Sequence, residues 1–489
     1  MEKYDIAIIG GGFAGLTCAL TLSKEGKKVC VLEKERIPGG AFQSFSRKGQ
    51  RFDTGFHYVG GVGKGEIMYP LVKYFELENL PWVRLDEKFL EVYIRGEKHI
   101  ICNGYESFVN SLSSEFPEDR QGLQNLTDIM QDINRHIYES IELGTNATTN
   151  EYMTIPAVEY LQKNIKNPLL RDILCGQSVT TELSDELPLY AFLQSLNSFI
   201  QHSYRLQGGG ETLIKNLVES VQKYGGTIKT RCNVQKLTIG NDEKIASAVC
   251  DDGTDFFADT FISTLHPALT LELIPECKQI RNIYRKRFQK LQDSAGMFTV
   301  QLVLKPNTIL YRNNSIGIFN SEDLWHTPYG KDSLVQNMLI NFNVPENGSK
   351  YATNIDLLTP MSWDAIEEWS ESKIGKRPKE YELFKQKKAK ECIALAQQYI
   401  PELQDNIEQI WTSTPLTYRD YTGTRGGSAY GIRKSCNNLL GTILSPTTPF
   451  ENLFLSGQNL ILHGMQGVAM TTILTCNIIC GKNILKQNS

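Results

Sequence analysis

Apolar residues run unbroken from Ile6 to Ile9, the pattern of a parallel strand buried on both faces. Behind it Leu16, Ala19, Leu20 and Leu22 recur at helical spacing, Gly26 stops the helix, and "KKVCVLEK" reads as a second strand. A second such rhythm follows a glycine cluster: Leu213, Leu217, Val218 and Val221 form a helical stripe that Gly225 and Gly226 terminate. Ile228, Thr230, Cys232 and Val234 then alternate as one face of a single strand, and "IASAVCDDGTDFFADTFIST" reads as strand, Asp-Gly turn and further strands. Near the far end "NLFLSGQNLILHGMQGVAMTTIL", from Asn452 to Leu474, predicts strand, glycine turn and helix once more. Between these blocks the pattern changes. Leu126, Ile129, Met130, Ile133, Ile137 and Ile141 mark an amphipathic helix, "MFTVQLVL" and "VQNMLINFNV" read as strands, and "KEYELFKQKKAKECIALAQQYI" reads as a helix with a solvated lysine face.

At 489 residues the chain exceeds the usual reach of one hydrophobic core, so two domains, or one with a large insertion, are expected. Its net charge of -4 arises from intermixed signs without a basic block, which argues against a nucleic-acid partner. Eleven scattered cysteines without a CxxC pair point to reduced, buried thiols, and Asp5 interrupts any leader-like start, so a cytoplasmic protein is expected. Met465 to Cys480 is apolar but carries Gln466, Thr471, Thr472, Thr475 and Asn477, too polar and short for a membrane span. The seven histidines form no metal-ligand pattern.

Chemistry enters with the first turn. Gly10, Gly12 and Gly15 fall in the order G-x-G-x-x-G, with Phe13 and Ala14 between, and Glu33 stands 18 residues beyond Gly15 with Lys34 beside it. Gly10 permits the turn, Gly12 lets a pyrophosphate approach the backbone, and Gly15 lets helix and strand pack closely. The helix start offers N–H groups to phosphate, and the Glu33 carboxylate can accept from ribose hydroxyls, which disfavours a 2'-phosphate. No second fingerprint of this kind follows. "GGVGKGE" lacks the P-loop spacing and its Ser or Thr. A dedicated NADPH domain is therefore not expected, and electrons must pass to or from a separate donor or acceptor.

After the second strand comes no further helix but "IPGGAFQSFSRKGQRFDTGFHYVGG", as though the chain folds back along a ligand. "GGGFAGL", "LEKERIPGGAFQSF" and "FDTGFHYVGG" resemble the FAD-dependent family of carotenoid desaturases, carotenoid isomerases and retinol saturases, nearest the saturase and isomerase branch. "GGGETLIKNLVESVQKYGGTIKTRCNVQKL" and "TSTPLTYRDYTGTRGGSAYGI" continue the likeness. The resemblance implies FAD, with Gly39, Gly40, Ala41 and Phe42 along its pyrophosphate and ribityl chain, Val234 at the adenine, and Gly457, Gln458, Gly467 and Val468 at the flavin end. Many relatives carry an acid where this chain has Gln458.

The implied fold is α/β: a Rossmann-like FAD-binding domain of residues 1–84, 205–268 and 411–489, interrupted by an α+β substrate domain, a mixed sheet with helices, of residues 85–204 and 269–410. The implied substrate is an apolar polyene, isoprenoid or related lipid whose C=C bond is reduced, desaturated or isomerised. Peripheral contact with the inner membrane surface is an open expectation, and "WDAIEEWSESKIGKRPKEYELFKQKKAK", with Trp363 and Trp369, is a candidate for it. Flavin N5 carries the hydride, so few protein acids or bases are required. His463, before Gly464, is the candidate acid or else a bond to flavin or loop backbone; His57 and Tyr58 lie in the other segment expected at the ring, and Tyr418, Tyr421 and Tyr430 are candidate pocket walls. An FAD amine oxidase, whose family usually shows an Arg near Ala41, and a flavin-bound lipid carrier without turnover are the alternatives.

Overall fold

The computed structural model of the chain describes residues 3–143, 151–176, 179–346 and 348–487. Two seven-stranded sheets organise it. The first has the order Thr227–Lys229, Val29–Leu32, Lys3–Ile9, Asp255–Ser263, Ile245–Cys250 and Val234–Ile239, and Leu453–Leu455 also joins Asp255–Ser263. Five of these strands are parallel, so their carboxyl ends share one edge, the place where open α/β sheets bind ligands. Asp255–Ser263 changes partner along its length. Residues 255–257 pair antiparallel with Ile245–Cys250, whereas residues 261–263 pair parallel with Leu453–Leu455.

Two expectations about this half need correction. The first helix, Phe13–Lys24, is buried all round from Phe13 to Ser23 and does not present one apolar face. Helices Gly209–Lys223 and Gly464–Cys480 pack on it, and its threonines tolerate burial because Thr17 and Thr21 donate to carbonyls one turn back. The single strand through Ile228 and Val234 is in fact two. Thr227–Lys229 pairs with Val29–Leu32 at one edge, Arg231 takes a left-handed φ of 59°, and Val234–Ile239 pairs with Ile245–Cys250 at the other. Between them the chain crosses the carboxyl edge, held by the N–H of Cys232 on the carbonyl of Glu33.

The second sheet has the order Ile407–Ser413, Gly296–Leu304, Asn354–Met361, Asn337–Phe342, Ser315–Phe319, Leu90–Ile94 and Glu97–Ile101. Its four middle strands Gly296–Leu304, Asn354–Met361, Asn337–Phe342 and Ser315–Phe319 are buried at every residue, as a sheet covered on both faces requires. One cover includes helix Arg120–Leu143, whose Leu126, Met130 and Ile133 enter the core with Ile129 at its margin; the side chain of Ile141 lies outside the described residues. Helix Lys379–Gln397 contributes to the other cover. Its lysine face is not wholly solvated: Lys388 is buried, donating to the carbonyl of Ser333 and pairing with Glu391 at 3.2 Å. Trp369 is likewise buried, against Tyr381 and Phe384, and Trp363 lies under the guanidinium of Arg419. A small sheet of Val59–Gly60, Ser203–Leu206 and Trp82–Arg84 joins the halves. The expected boundaries at 204/205 and 410/411 fall inside strands Ser203–Leu206 and Ile407–Ser413.

Candidate active site

A groove of about 430 Å³ follows the carboxyl edge of the parallel strands. Gly10, Glu33, Thr264 and Gly457 stand just beyond four strand ends and all line it. Gly10 at φ 100° and Gly457 at φ 108° occupy the region that glycine alone enters freely. Gly12 caps the first helix without a side-chain bond, leaving its leading N–H groups for a ligand. The segment of Gly39 and Gly40 closes over it: the Gly39 N–H donates to Gly11 O at 2.8 Å, and a Cβ on Gly40 would stand 3.1 Å from Gly12 Cα. Gly15 does not line the groove. A Cβ there would lie 1.9 Å from Gly10 O, so it serves the packing of helix on strand.

Glu33 is buried, and its two oxygens accept the N–H groups of Gly11 at 2.7 Å and Glu35 at 2.8 Å. Burial nevertheless raises its pKa above the ordinary carboxylate value. Each oxygen keeps capacity for another donor, such as a ribose hydroxyl. Lys34, which donates to the Asp420 carbonyl at 2.8 Å, and Val234 border the groove with it. Further along, Phe13, Ala14, Ala41 and Phe42 form its wall, the Phe42 ring lying 5.3 Å from Phe13 and 5.1 Å from Phe56. Gln458 and Val468 complete the C-terminal contribution.

At its inner end the groove meets an apolar cavity of about 190 Å³. Phe42, Gly55, His57, Leu358, Tyr430 and Gly464 line both. Tyr58, His463 and Gly467 line the apolar cavity and not the groove. A Cβ on Gly467 would come within 2.4 Å of Leu462 O, so this glycine seats helix Gly464–Cys480 against the preceding loop. Tyr430 stands at the junction, whereas Tyr418 and Tyr421 line the groove and not the apolar cavity.

The polar groups here are in unlike states. His463 Nε2 lies 2.9 Å from the Thr180 carbonyl and therefore carries the proton it donates. Burial lowers its pKa to about 4, so at neutral pH the ring is uncharged with that N–H engaged. This geometry fits the backbone-bonding role better than the acid role the sequence raised. Burial pushes the Tyr418 phenol up to about 12 and raises Tyr58 and Tyr430 still further, so none supplies an ionised base near neutrality. Tyr418 exchanges a bond with Thr299 at 2.8 Å and Tyr430 donates to the Val179 carbonyl, but the buried Tyr58 hydroxyl has no partner. Both ring nitrogens of His57 are also buried without a hydrogen bond; Nδ1 lies 3.5 Å from Asp356.

Residues 13–371 match the family described as "Flavin containing amine oxidoreductase". The chain belongs to that family. Its cofactor is FAD, since a flavin seated on a dinucleotide turn is the dinucleotide form. The family member is 22% identical to the all-trans-retinol 13,14-reductase of Macaca fascicularis over all of its own length and 86% of that protein's. It is 26% identical to prolycopene isomerase 1 of an Oncidium hybrid cultivar, over 94% of this chain and 80% of the other. Among solved structures it resembles putrescine oxidase bound to putrescine, with a TM-score of 0.68 at 15% identity over 98% of this chain and 100% of that one. An oxidoreductase from Methanosarcina mazei gives 0.65 at 19% identity, covering 98% and 100%. RAB GDI from Plasmodium falciparum gives 0.54 at 13%, covering 99% of each.

The residues fit the cofactor: where Gly10 and Gly11 cross Gly39 and Gly40 a Cβ on any of the four would crowd its neighbours, leaving a cradle of bare backbone, and Glu33 supplies a hydroxyl acceptor at its end. FAD supplies hydride transfer at the ring end. In this chain the N–H groups at the start of helix Phe13–Lys24 would hold the phosphates, Phe42, Leu358 and Met297 would keep water from the ring, and His57, Tyr58 and Tyr430 lie where groove and apolar cavity adjoin. Thr264, Leu265, His266 and Arg425 also line the groove and escaped the sequence reading. For Thr264 a signal existed: "FIST" ends a parallel strand, and such ends face ligands. Arg425 had none.

Proposed function

We propose that this FAD-dependent oxidoreductase moves a hydride to or from a C=C bond of an apolar polyene or related lipid, in reduction or isomerisation. The observation that carries the reading is the apolar cavity adjoining the inner end of the groove, lined by Val59, Ala191, Phe199, Leu339 and Leu462 and, among the described residues, by no aspartate or glutamate. An ammonium substrate would find no carboxylate there, which disfavours amine oxidation even within this family. The names of the retinol reductase and the prolycopene isomerase supply the substrate class; RAB GDI has the same architecture, so the fold by itself does not decide for turnover. Electrons enter or leave through a separate partner.

The test is anaerobic. The enzyme with its flavin reduced is mixed with retinoids or linear carotenoids in detergent, and the flavin spectrum and product are followed. Reoxidation with saturation of a double bond, or isomerisation without net reoxidation, is the expected result. A reduced flavin that no polyene changes, together with an oxidised flavin bleached by an amine, would replace this reading with the amine oxidase.

A lipid substrate implies contact with a bilayer, and of the tryptophans first considered for it Trp369 is buried and Trp363 half-buried. The most exposed large apolar side chains are Ile283, at 77%, and Leu440, at 87%, and Arg287 of the first segment donates to the Leu440 carbonyl. Arg281, Lys286 and Lys290 flank them on the surface. This basic and apolar face is the proposed membrane contact. Replacing both Ile283 and Leu440 by Glu should cut retention on anionic phospholipid vesicles by roughly tenfold or more; equal retention would exclude this face.

A further inference from the structure

Among the described residues His57 alone lines three cavities at once: the cofactor groove, the apolar cavity, and a polar pocket of about 180 Å³. The polar pocket is walled by Arg51, Asp53, Arg205, Asn343, Glu346 and Asn354, residues from four separate parts of the chain. Phe56 and His57 line both this pocket and the apolar cavity.

The polar pocket is built to hold water. Arg205 is 2% exposed and meets only neutral acceptors, the carbonyls of Arg312 and Asn314 and the hydroxyls of Tyr311 and Ser315, while its Nε has no partner. Asn354 Oδ1, and Asp356 Oδ1 behind His57, are buried and equally unpartnered. A buried polar atom left without a hydrogen bond costs about 1–3 kcal/mol, so several around one polar pocket call for mobile donors and acceptors. At roughly 30 Å³ per molecule the space admits several waters. Its solvent side is marked by the Arg51–Glu346 pair at 3.1 Å, with the Glu346 side chain 67% exposed.

We propose that this pocket is the proton inlet of the active site, and that His57 carries protons from it to the junction of groove and apolar cavity. The proposal takes the site of hydride transfer from the function proposed above. When a C=C bond is reduced, its π bond opens, one carbon takes the hydride delivered from reduced cofactor, and the other takes the proton of the His57 imidazolium. His57 is left neutral and is reprotonated by water in the polar pocket; the two electrons come from the external donor. The charged and titratable groups around the ring suit this traffic. Asp356 stands at 3.5 Å from Nδ1, Asp53 and Arg205 line the polar side, and Tyr58, Tyr418 and Tyr430 line the side of the flavin and the substrate.

The experiment needs no lipid. Bound FAD takes up a proton when reduced by two electrons, and that uptake can be timed with a pH-indicator dye after rapid anaerobic photoreduction of the holoenzyme. His57→Gln, which breaks the relay, and Asn354→Leu, which fills the polar pocket while leaving His57 in place, should each slow proton uptake at least about tenfold, and added imidazole should restore the rate in His57→Gln. FAD content and melting temperature are measured on the same samples. Wild-type uptake rates in both FAD-loaded variants would overturn the proposal. If His57→Gln loses FAD, the decision passes to Asn354→Leu, where an unchanged rate overturns the proposal and a slowed one sustains it. Failure of every polyene to reoxidise the wild-type flavin would instead refute the substrate reading and leave this measurement standing.

Discussion

Single residues carry the sharpest expectations. Glu33 ties the turn at Gly11 to the groove, and hydrogen bonds to charged groups contribute about 1.5–3 kcal/mol. Glu33→Ala should therefore weaken FAD binding by roughly 10–100-fold, measured by cofactor release on dilution. Asp53 offers a pH test. It accepts from Ser44 and from the Gly210 N–H, yet burial lifts its pKa from 3.8 to about 6. Since the folded pKa lies above the unfolded one, the protonated carboxyl is the form the fold prefers. That contribution is complete below about pH 4 and is lost as pH rises through about 6. Asp53→Asn keeps the acceptor and removes the titration, so its melting temperature relative to wild type should be higher at pH 8 than at pH 4.5; a pH-independent difference would count against the assignment.

At the scale of elements, the glycines that seat helices are less forgiving than those that face the cofactor. Gly467→Ala would place a Cβ 2.4 Å from Leu462 O and push helix Gly464–Cys480 off its loop. A drop in melting temperature and loss of FAD are expected together, whereas normal cofactor content in a stable protein would show that the helix can shift without cost. This scale also separates what was legible in the chain from what was not. The first turn could be read because its strand, three glycines, helix and Glu33 are consecutive and each answers a local need. The break at Arg231 could not, because alternation through Ile228 and Val234 is equally satisfied by one strand or two, and only the choice of sheet edge distinguishes them. Burial of the first helix on every side depended on a helix more than four hundred residues away. The polar pocket was invisible for the same reason: Arg51, Arg205, Asn343 and Asn354 meet only after the sheets have formed.

For the whole molecule, the groove is shared property. Gly10, Glu33 and Thr264 come from the first sheet's edge, while Met297 and Leu358 come from the second sheet. A ligand seated there ties both halves, so FAD should raise the melting temperature of the protein as one transition. Mass action gives about 2.7 kcal/mol at a hundredfold excess over Kd. Two transitions in the loaded protein, only one of them sensitive to FAD, would show that the halves melt independently.

The pairing of Leu453–Leu455 with the end of Asp255–Ser263 has a consequence in time as well as in space. During synthesis the dinucleotide turn leaves the ribosome hundreds of residues before the strand that finishes its sheet and the helix Gly464–Cys480 that packs beside it. A nascent chain therefore spends most of its translation with the cofactor's seat open on one side. Loading with FAD belongs to the last stage of biogenesis, and premature termination anywhere before residue 453 should yield a chain without its yellow colour, however faithfully its first half has folded.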